Sequence, residues 1–422
     1  MRGAALERQE GRRRVALVLP GGAARGAYEV GVVRYLLDEV SSALGRPFPI
    51  DLLCGTSVGA INVSVLAAFA DEPVRRAARL EQMWRELSVR RILRPDAFRV
   101  LAMVCGLVRC PQLPFRRPIP PGGLLDVAEF AGMLRAQVPF ERIQGHLRRG
   151  LLQAVTISTT RVADGYTVVF VEEATPRALK WRHEPAITAQ STHLGVEHAL
   201  ASAAIPFLFP AVRIAGELYC EGGLRQNVPL VPALRLGADA LIISSPHQME
   251  PAERDELQIE DAVADPLFLF GKTLNALLLD RIDNDIDRLE QINRILNAGC
   301  GRAGPRFLND LNCDLGNSLH DLELRPIESV VIRASCSLGK VAAEFVRSPA
   351  FAHRSRGIVN RVLHRLADGE GTAEADLLSY LLFDGEFAGR LIEIGRADAR
   401  AHHEDLLRMA GVVCESKSSP PG

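Results

Sequence analysis

What this sequence lacks narrows its chemistry. Its eight cysteines (Cys54, Cys105, Cys110, Cys220, Cys300, Cys313, Cys336, Cys414) are scattered along 422 residues with no C-x-x-C pair. Zinc-ligand spacing is therefore missing, and a disulfide framework is not expected in a chain this long, so a reduced cytoplasmic setting fits best. Lysine is nearly absent: Lys180, Lys272, Lys340 and Lys417 are the only four, and arginine carries the remaining positive charge. The formal net charge is −1, which excludes a nucleic-acid role resting on bulk charge. No apolar run is long enough to span a bilayer. Arg12-Arg13-Arg14 ahead of Val15–Leu19 imitates a signal peptide, but the run halts at Pro20-Gly21-Gly22, too short for an h-region and without a cleavage pattern.

What is present is a globular composition, 47% hydrophobic and 24% charged, enough for a sizeable core. The length suits one domain of about 250 residues with an elaboration, or more than one minimal domain. Residues 1–14 are polar, Arg-rich and read as a flexible tail. Val15–Leu19 reads as a first buried strand and Asp51–Cys54 as a second, with a helix between them carrying Val30, Val33, Leu36, Leu37 and Val40 on one face. This β-loop-α-β-turn-α order predicts an α/β fold, a mostly parallel sheet with helices on both sides.

A helix follows around Pro73–Leu87, and then the composition shifts. Residues 88–123 hold Arg90, Arg91, Arg94, Arg99, Arg109, Arg116 and Arg117 against one acid, Asp96, around the apolar stretch Val100–Val108. This segment reads either as a buried cap helix or as a basic, apolar surface that touches anionic lipid. Strands are expected at Leu151–Thr159 and Thr167–Val171, joined through Asp164-Gly165, and a helix at His198–Ala204 ended by Pro206. A hairpin is expected at Val212–Ile214 and Glu217–Cys220 around Ala215-Gly216, then a buried strand at Ala240–Ser244. The sheet domain thus occupies 15–245, and 246–414 reads as a mainly helical extension. Within that extension Leu267–Ile295 is one long helix, 299–326 a loop rich in Gly, Asn and Asp, Ser329–Ala334 a strand and Leu377–Ala410 helical. Residues 415–422 are expected to be disordered.

The segment Cys54-Gly55-Thr56-Ser57-Val58-Gly59-Ala60 is a Gly-x-Ser-x-Gly turn between the second strand and a helical pattern. A serine on such a turn is lifted clear of the sheet, with a helix N-terminus pointing at it, and Gly55 and Gly59 leave room for the turn. A serine attacks only when a base takes its proton, and acyl transfer needs donors for the developing oxyanion. The loop Gly21-Gly22-Ala23-Ala24-Arg25-Gly26 can offer backbone N–H groups at the same sheet edge. A glycine-rich turn before a helix also suits a dinucleotide, but Ala23 stands in place of a glycine and no acidic ribose ligand is evident about 20 residues on. Downstream, Glu221 ends a strand and is followed by Gly222-Gly223, which can aim its carboxylate at the serine; the bland alternative is a charged loop after an edge strand. His193, His198 and His247 are other candidate bases. Only one strand precedes the serine elbow strand, which counts against a standard α/β-hydrolase.

At these three places together the sequence resembles the patatin-like phospholipases, particularly their bacterial members. Supporting matches are Gly122-Gly123-Leu124-Leu125-Asp126, Ala201-Ser202-Ala203-Ala204-Ile205-Pro206 through Phe209-Pro210, and Leu236-Gly237-Ala238-Asp239. The likeness covers roughly 15–245, with a fainter one at Tyr380-Leu381-Leu382-Phe383-Asp384-Gly385. The resemblance implies a three-layer α/β sandwich and a serine–acid dyad of Ser57 and Glu221 without histidine. It implies an oxyanion loop from Gly21, Gly22, Ala23, Arg25 and Gly26, an elbow from Gly55, Thr56, Val58 and Gly59, and a dyad loop from Gly222 and Gly223. It further implies lipid ester substrates met at a membrane surface, with no metal or cofactor and a cytoplasmic or peripheral location. Two positions depart from the family pattern. Glu221 stands where Asp is usual, one methylene longer, and a catalytic group misplaced by about 1 Å can cost on the order of 100-fold. Ala23 replaces a third glycine, a change without consequence as long as its φ is negative. A weakly active or inactive lipid-binding scaffold and an acyltransferase are the alternatives.

Overall fold

Leucine-rich and β-branched runs without polar alternation become strands only where both faces are covered. In the computed structural model Val15–Leu19 (β1) is such a run, and Leu52–Thr56 (β2) and the 8-residue Ala154–Arg161 (β3), the latter rich in Thr and Ser, are likewise buried almost throughout. The structure describes residues 13–92, 94–95, 123–175, 179, 181, 186–248, 280–304, 306–315, 323–352, 358–368 and 372–411. Further strands are Thr167–Glu173 (β4), Ile187–Ser191 (β5), Val212–Ile214 (β6), Glu217–Cys220 (β7), Ala240–Ser245 (β8) and Glu328–Arg333 (β9). They join one sheet in the order β9-β8-β1-β2-β3-β4-β5, and β7, hairpin partner of β6, pairs with the end of β3. From β9 to β3 the neighbours run parallel; β4 returns antiparallel to β3. Parallel neighbours need crossovers, and helices supply them on both faces.

The crossover after β1 is Gly26–Tyr35 (α1), and the helix that leaves β2 is Val58–Ala68 (α2). Arg76–Arg85 (α3) and Val196–Ser202 (α4) pack near them, and the C-terminal part adds Asp280–Ala303 (α5), Leu338–Arg347 (α6), Thr372–Leu381 (α7) and Gly385–Ala401 (α8). α2 is buried at every position; its sequence is apolar except at Asn62 and Ser64, whose side chains are hydrogen-bonded inside the fold.

Most elements expected from the sequence are present, with differences that have physical reasons. The loop expected over 299–326 instead contains the end of α5 and a helix at Phe307–Leu315. There Leu308, Leu311 and Leu315 share one helical face, a spacing that outweighs the local Gly and Asn. β5 lies beyond the strands expected from the sequence: it is an edge strand, half-buried at alternate positions, exposed between them and partly polar in sequence. The expected Val100–Val108 segment lies outside the described residues, as do 267–279 and the tails at 1–12 and 412–422.

One buried polar chain crosses the layer between α1, α2 and α3. The Asn62 amide donates to Glu29 Oε2 at 2.8 Å, and its Oδ1 accepts from Trp84 Nε1 at 2.9 Å. Glu29 is fully buried and its Oε1 has no partner among the described residues. Burial pushes its pKa well above the ordinary carboxyl range, against the pull of Asn62. A folded pKa above the unfolded one means that the stability contributed with Glu29 protonated is complete below about pH 4.3, the unfolded value, and is lost as pH rises through the raised folded pKa. Glu29→Gln is therefore expected to melt about 2–4 °C higher than wild type at pH 8, with the difference vanishing near pH 4.5. Thermal melts of both proteins at the two pH values check this.

Candidate active site

Ser57 sits between the last residue of β2 and the first of α2, with φ 55° and ψ −126°. A side-chain-bearing residue in this region is strained and needs its surroundings to hold it there. Two features do so. A Cβ at Gly59 would lie 2.0 Å from the Leu19 carbonyl oxygen, so only glycine lets the turn press against β1. The Ser57 N–H donates to Ser202 Oγ at 2.8 Å, and the Ser202 hydroxyl donates to the Ser158 carbonyl at 2.6 Å. Thr56 is buried beneath the turn, and Gly55 leaves space for the Gly59 carbonyl, 2.5 Å from where its Cβ would stand.

Glu221 follows β7 and begins the short turn Gly222–Leu224. Its N–H donates to the Ala204 carbonyl at 3.0 Å and its own carbonyl accepts from Thr160 Oγ1 at 2.8 Å, which fixes the backbone on both sides. A Cβ at Gly222 would be 2.1 Å from the Ser158 carbonyl oxygen, so this glycine lets the loop lie directly on β3. The carboxylate Oε1 accepts from the Gly223 N–H at 3.0 Å, and Oε2 accepts from Ser57 Oγ at 2.8 Å. Glu221 is completely buried, and burial pushes its pKa up to about 8, while the Gly223 N–H and the Ser57 hydroxyl pull it down. The group therefore titrates near neutrality, where a general base is most effective.

The glycine-rich loop lies against the same serine: a Cβ at Gly21 would stand 2.9 Å from Ser57 Cβ. Not all of its amides are open. Gly21 N–H donates to Asn227 Oδ1 at 2.8 Å, Arg25 N–H to the Gly22 carbonyl at 2.9 Å, and Gly26 N–H to the Ala23 and Ala24 carbonyls. The N–H groups of Gly22 and Ala23, with that of Ala24, have no acceptor among the described residues, as expected at the start of a helical turn. Ala23 has φ 48°, so the condition under which its replacement of glycine is without consequence is not met. The turn stores strain that glycine would relieve.

None of the three histidines is the described partner of the Ser57 hydroxyl. His198 accepts from the Gly195 N–H at 2.9 Å and packs edge-on to Phe170, and His193 faces Glu172 at 3.1 Å. Ser202 stands in the sequence only as part of the Ala201–Pro206 match, and Asn227 has no reading there; each acts across a long stretch of chain, and no local signal marks the contact.

A cleft opens beside Ser57. Its walls are apolar, including Ile61, Met83, Trp84, Phe130, Leu200 and Phe209, and Ser57 supplies the hydroxyl. Such a lining suits a hydrocarbon chain better than a polar ligand.

Comparison with known proteins follows the same residues. A 29% identical match over 215 residues links the chain to a cGAMP-activated phospholipase of Pseudomonas aeruginosa, spanning 50% of this chain and 53% of that protein. A shorter one, 40% identical over 79 residues, links it to lysophospholipase nte1 of Aspergillus terreus, spanning 17% of this chain and 5% of that protein. The chain thus spans about half the length of the first relative and a small part of the second. VipD of Legionella pneumophila aligns over 94% of this chain and 67% of its own, at 12% identity and a TM-score of 0.31. The family model for patatin-like phospholipase matches residues 17–234, from β1 through the serine turn and past Glu221. That span takes in half of the chain and the sheet edge where the two side chains meet, and the protein belongs to the patatin-like phospholipase family.

Proposed function

We propose that this protein is a serine acyl hydrolase that cleaves carboxylic esters of membrane lipids, in the manner of a phospholipase A or lysophospholipase. The observation that carries this reading is the 2.8 Å hydrogen bond from Ser57 Oγ to the buried Glu221 carboxylate beside an apolar cavity. Glu221 takes the hydroxyl proton as Oγ attacks the ester carbonyl, and the open N–H groups of Gly22 and Ala23 hold the oxyanion. Collapse expels the lipid alcohol, which receives the proton from Glu221, and leaves an acyl-serine. Water, deprotonated by Glu221, then attacks the acyl carbon, and collapse releases the fatty acid as Glu221 returns the proton to Ser57 Oγ. The names of the two curated relatives, a phospholipase and a lysophospholipase, favour a lipid substrate class. Phe207, 68% exposed and two positions from the cavity-lining Phe209, offers an apolar side chain to a lipid surface. No described helix is long and apolar enough to cross a membrane.

The test is release of free fatty acid from phospholipid vesicles by the purified chain. Binding to the vesicles without release supports the scaffold reading instead, and transfer of the acyl group to added lysolipid or alcohol supports an acyltransferase. The cavity makes a separate prediction. Leu200→Trp, which fills the apolar wall, is expected to lower kcat/KM for a twelve-carbon p-nitrophenyl ester at least about tenfold relative to the four-carbon ester, since each buried methylene contributes about 0.8 kcal/mol. Equal losses on both chain lengths would show that the acyl group lies elsewhere.

A further inference from the structure

The matched region ends at residue 234, yet the loop beside Ser57 is held from far beyond it. α1 and α8 cross with their backbones in contact: a Cβ at Gly31 would lie 2.0 Å from the Ile392 carbonyl oxygen, and one at Gly395 2.1 Å from that of Tyr28. This crossing seats the preceding helix, α7, over the start of α1. There the Arg25 side chain, 3% exposed, donates through Nε to Ser379 Oγ at 2.7 Å and through Nη2 to Asp376 Oδ1 at 2.7 Å. Its guanidinium stacks 4.4 Å from the centre of the Tyr380 ring, and Ser379 Oγ donates to the Asp376 carbonyl at 2.6 Å. The next turn of chain reaches the cavity itself, where Phe383 joins the lining, and Gly385 N–H donates to the Leu87 carbonyl at 3.0 Å.

The other end of Arg25 closes the oxyanion turn. Its main-chain N–H donates to the Gly22 carbonyl, one residue before Ala23 with its positive φ. A strained turn persists only where its surroundings over-determine it. Asn227 fixes one side of this turn through Gly21, and the buried, charge-assisted grip on Arg25 fixes the other. We propose that Asp376 and Ser379 are positioning residues of the oxyanion loop, acting through Arg25, so that the working site includes the C-terminal helices. This rests on the hydrolase reading of the loop. It gives Tyr380–Gly385, whose likeness to the family was the faintest, a place in the site.

The test uses the full chain with Asp376→Asn, Asp376→Glu and Ser379→Ala. Turnover of a soluble four-carbon p-nitrophenyl ester is measured per active site, counted by fluorophosphonate titration, beside hydrogen exchange of the peptide covering residues 19–28. The expected result for Asp376→Asn is a loss of kcat of about tenfold or more with KM within twofold, and exchange of that peptide at least about fivefold faster while the sheet is unchanged. Ser379→Ala should show a smaller loss of the same kind, and Asp376→Glu should restore most of the rate. Unchanged exchange at 19–28, unchanged kcat per titrated site, or exchange accelerated uniformly across the chain would each overturn the proposal. Should the wild type release no product, the hydrolase reading falls, and the exchange comparison still decides whether α7 holds the loop.

Discussion

Replacing Ser57 with alanine is expected to lower ester hydrolysis by at least about a thousandfold, because the acyl-enzyme route disappears and what remains is binding and the amide donors. The same variant should keep its melting temperature within a few degrees of the wild type. Alanine can take the strained backbone at this position as serine does, and the turn is held by Gly59 and by the main-chain bond to Ser202, neither of which needs the Ser57 side chain. Loss of activity with intact folding separates a chemical role from a structural one. Rates per folded molecule, with folding checked by circular dichroism, make the comparison. A residual rate within tenfold of the wild type would remove Ser57 from the chemistry.

The second large effect concerns Glu221. A base that must be ionised to work, with a pKa of about 8, makes kcat/KM rise with pH and level off above that value. Two pH units below the pKa only about one molecule in a hundred carries the ionised base, so the rate at pH 6 should be roughly 100-fold below the plateau. Stability moves the opposite way. The folded pKa lies above the unfolded value, so the contribution of protonated Glu221 is complete below about pH 4.3 and is lost as pH rises towards 8. Glu221→Gln should therefore abolish the rise in activity and flatten part of the fall in stability. Glu221→Asp tests the geometry. The present carboxylate reaches Ser57 Oγ at 2.8 Å with its backbone fixed through Ala204 and Thr160, so a side chain one methylene shorter withdraws the base by about 1 Å. A loss on the order of 100-fold is expected, although aspartate is the usual residue in the resemblance. An Asp variant faster than wild type would show that glutamate is a handicap here. Paired pH-rate and pH-melting curves for the three proteins decide both points.

The parts of this site that were legible in the sequence are those whose signal is local. Ser57 announces itself because two glycines and a strand-to-helix change fall within a few residues, and Glu221 because two glycines follow it at a strand end. The inner strands were readable because burial on both faces forces an apolar run. β5 is not legible because this edge strand is no more than half-buried, at alternate positions, and carries no apolar run. The supporting contacts were not legible for a different reason: they close over long stretches of chain. Ser202 meets Ser57 across 145 positions, Asn227 meets Gly21 across 206 and Asp376 meets Arg25 across 351. None leaves a spacing pattern near either partner. Ala23 illustrates the same limit. An alanine is expected at negative φ, and only the packed surroundings of the turn carry it to φ 48°.

The central claim is that Glu221 activates Ser57 for attack on an ester. Labelling the intact protein with a fluorophosphonate across pH 6–9, and locating the modified residue by mass spectrometry, tests it most directly. The account predicts one label, on Ser57, attached at a rate that climbs through about pH 8 in the wild type and is lost in Glu221→Gln. Modification of another residue, or labelling of Ser57 that proceeds equally well without the Glu221 carboxylate, would contradict it.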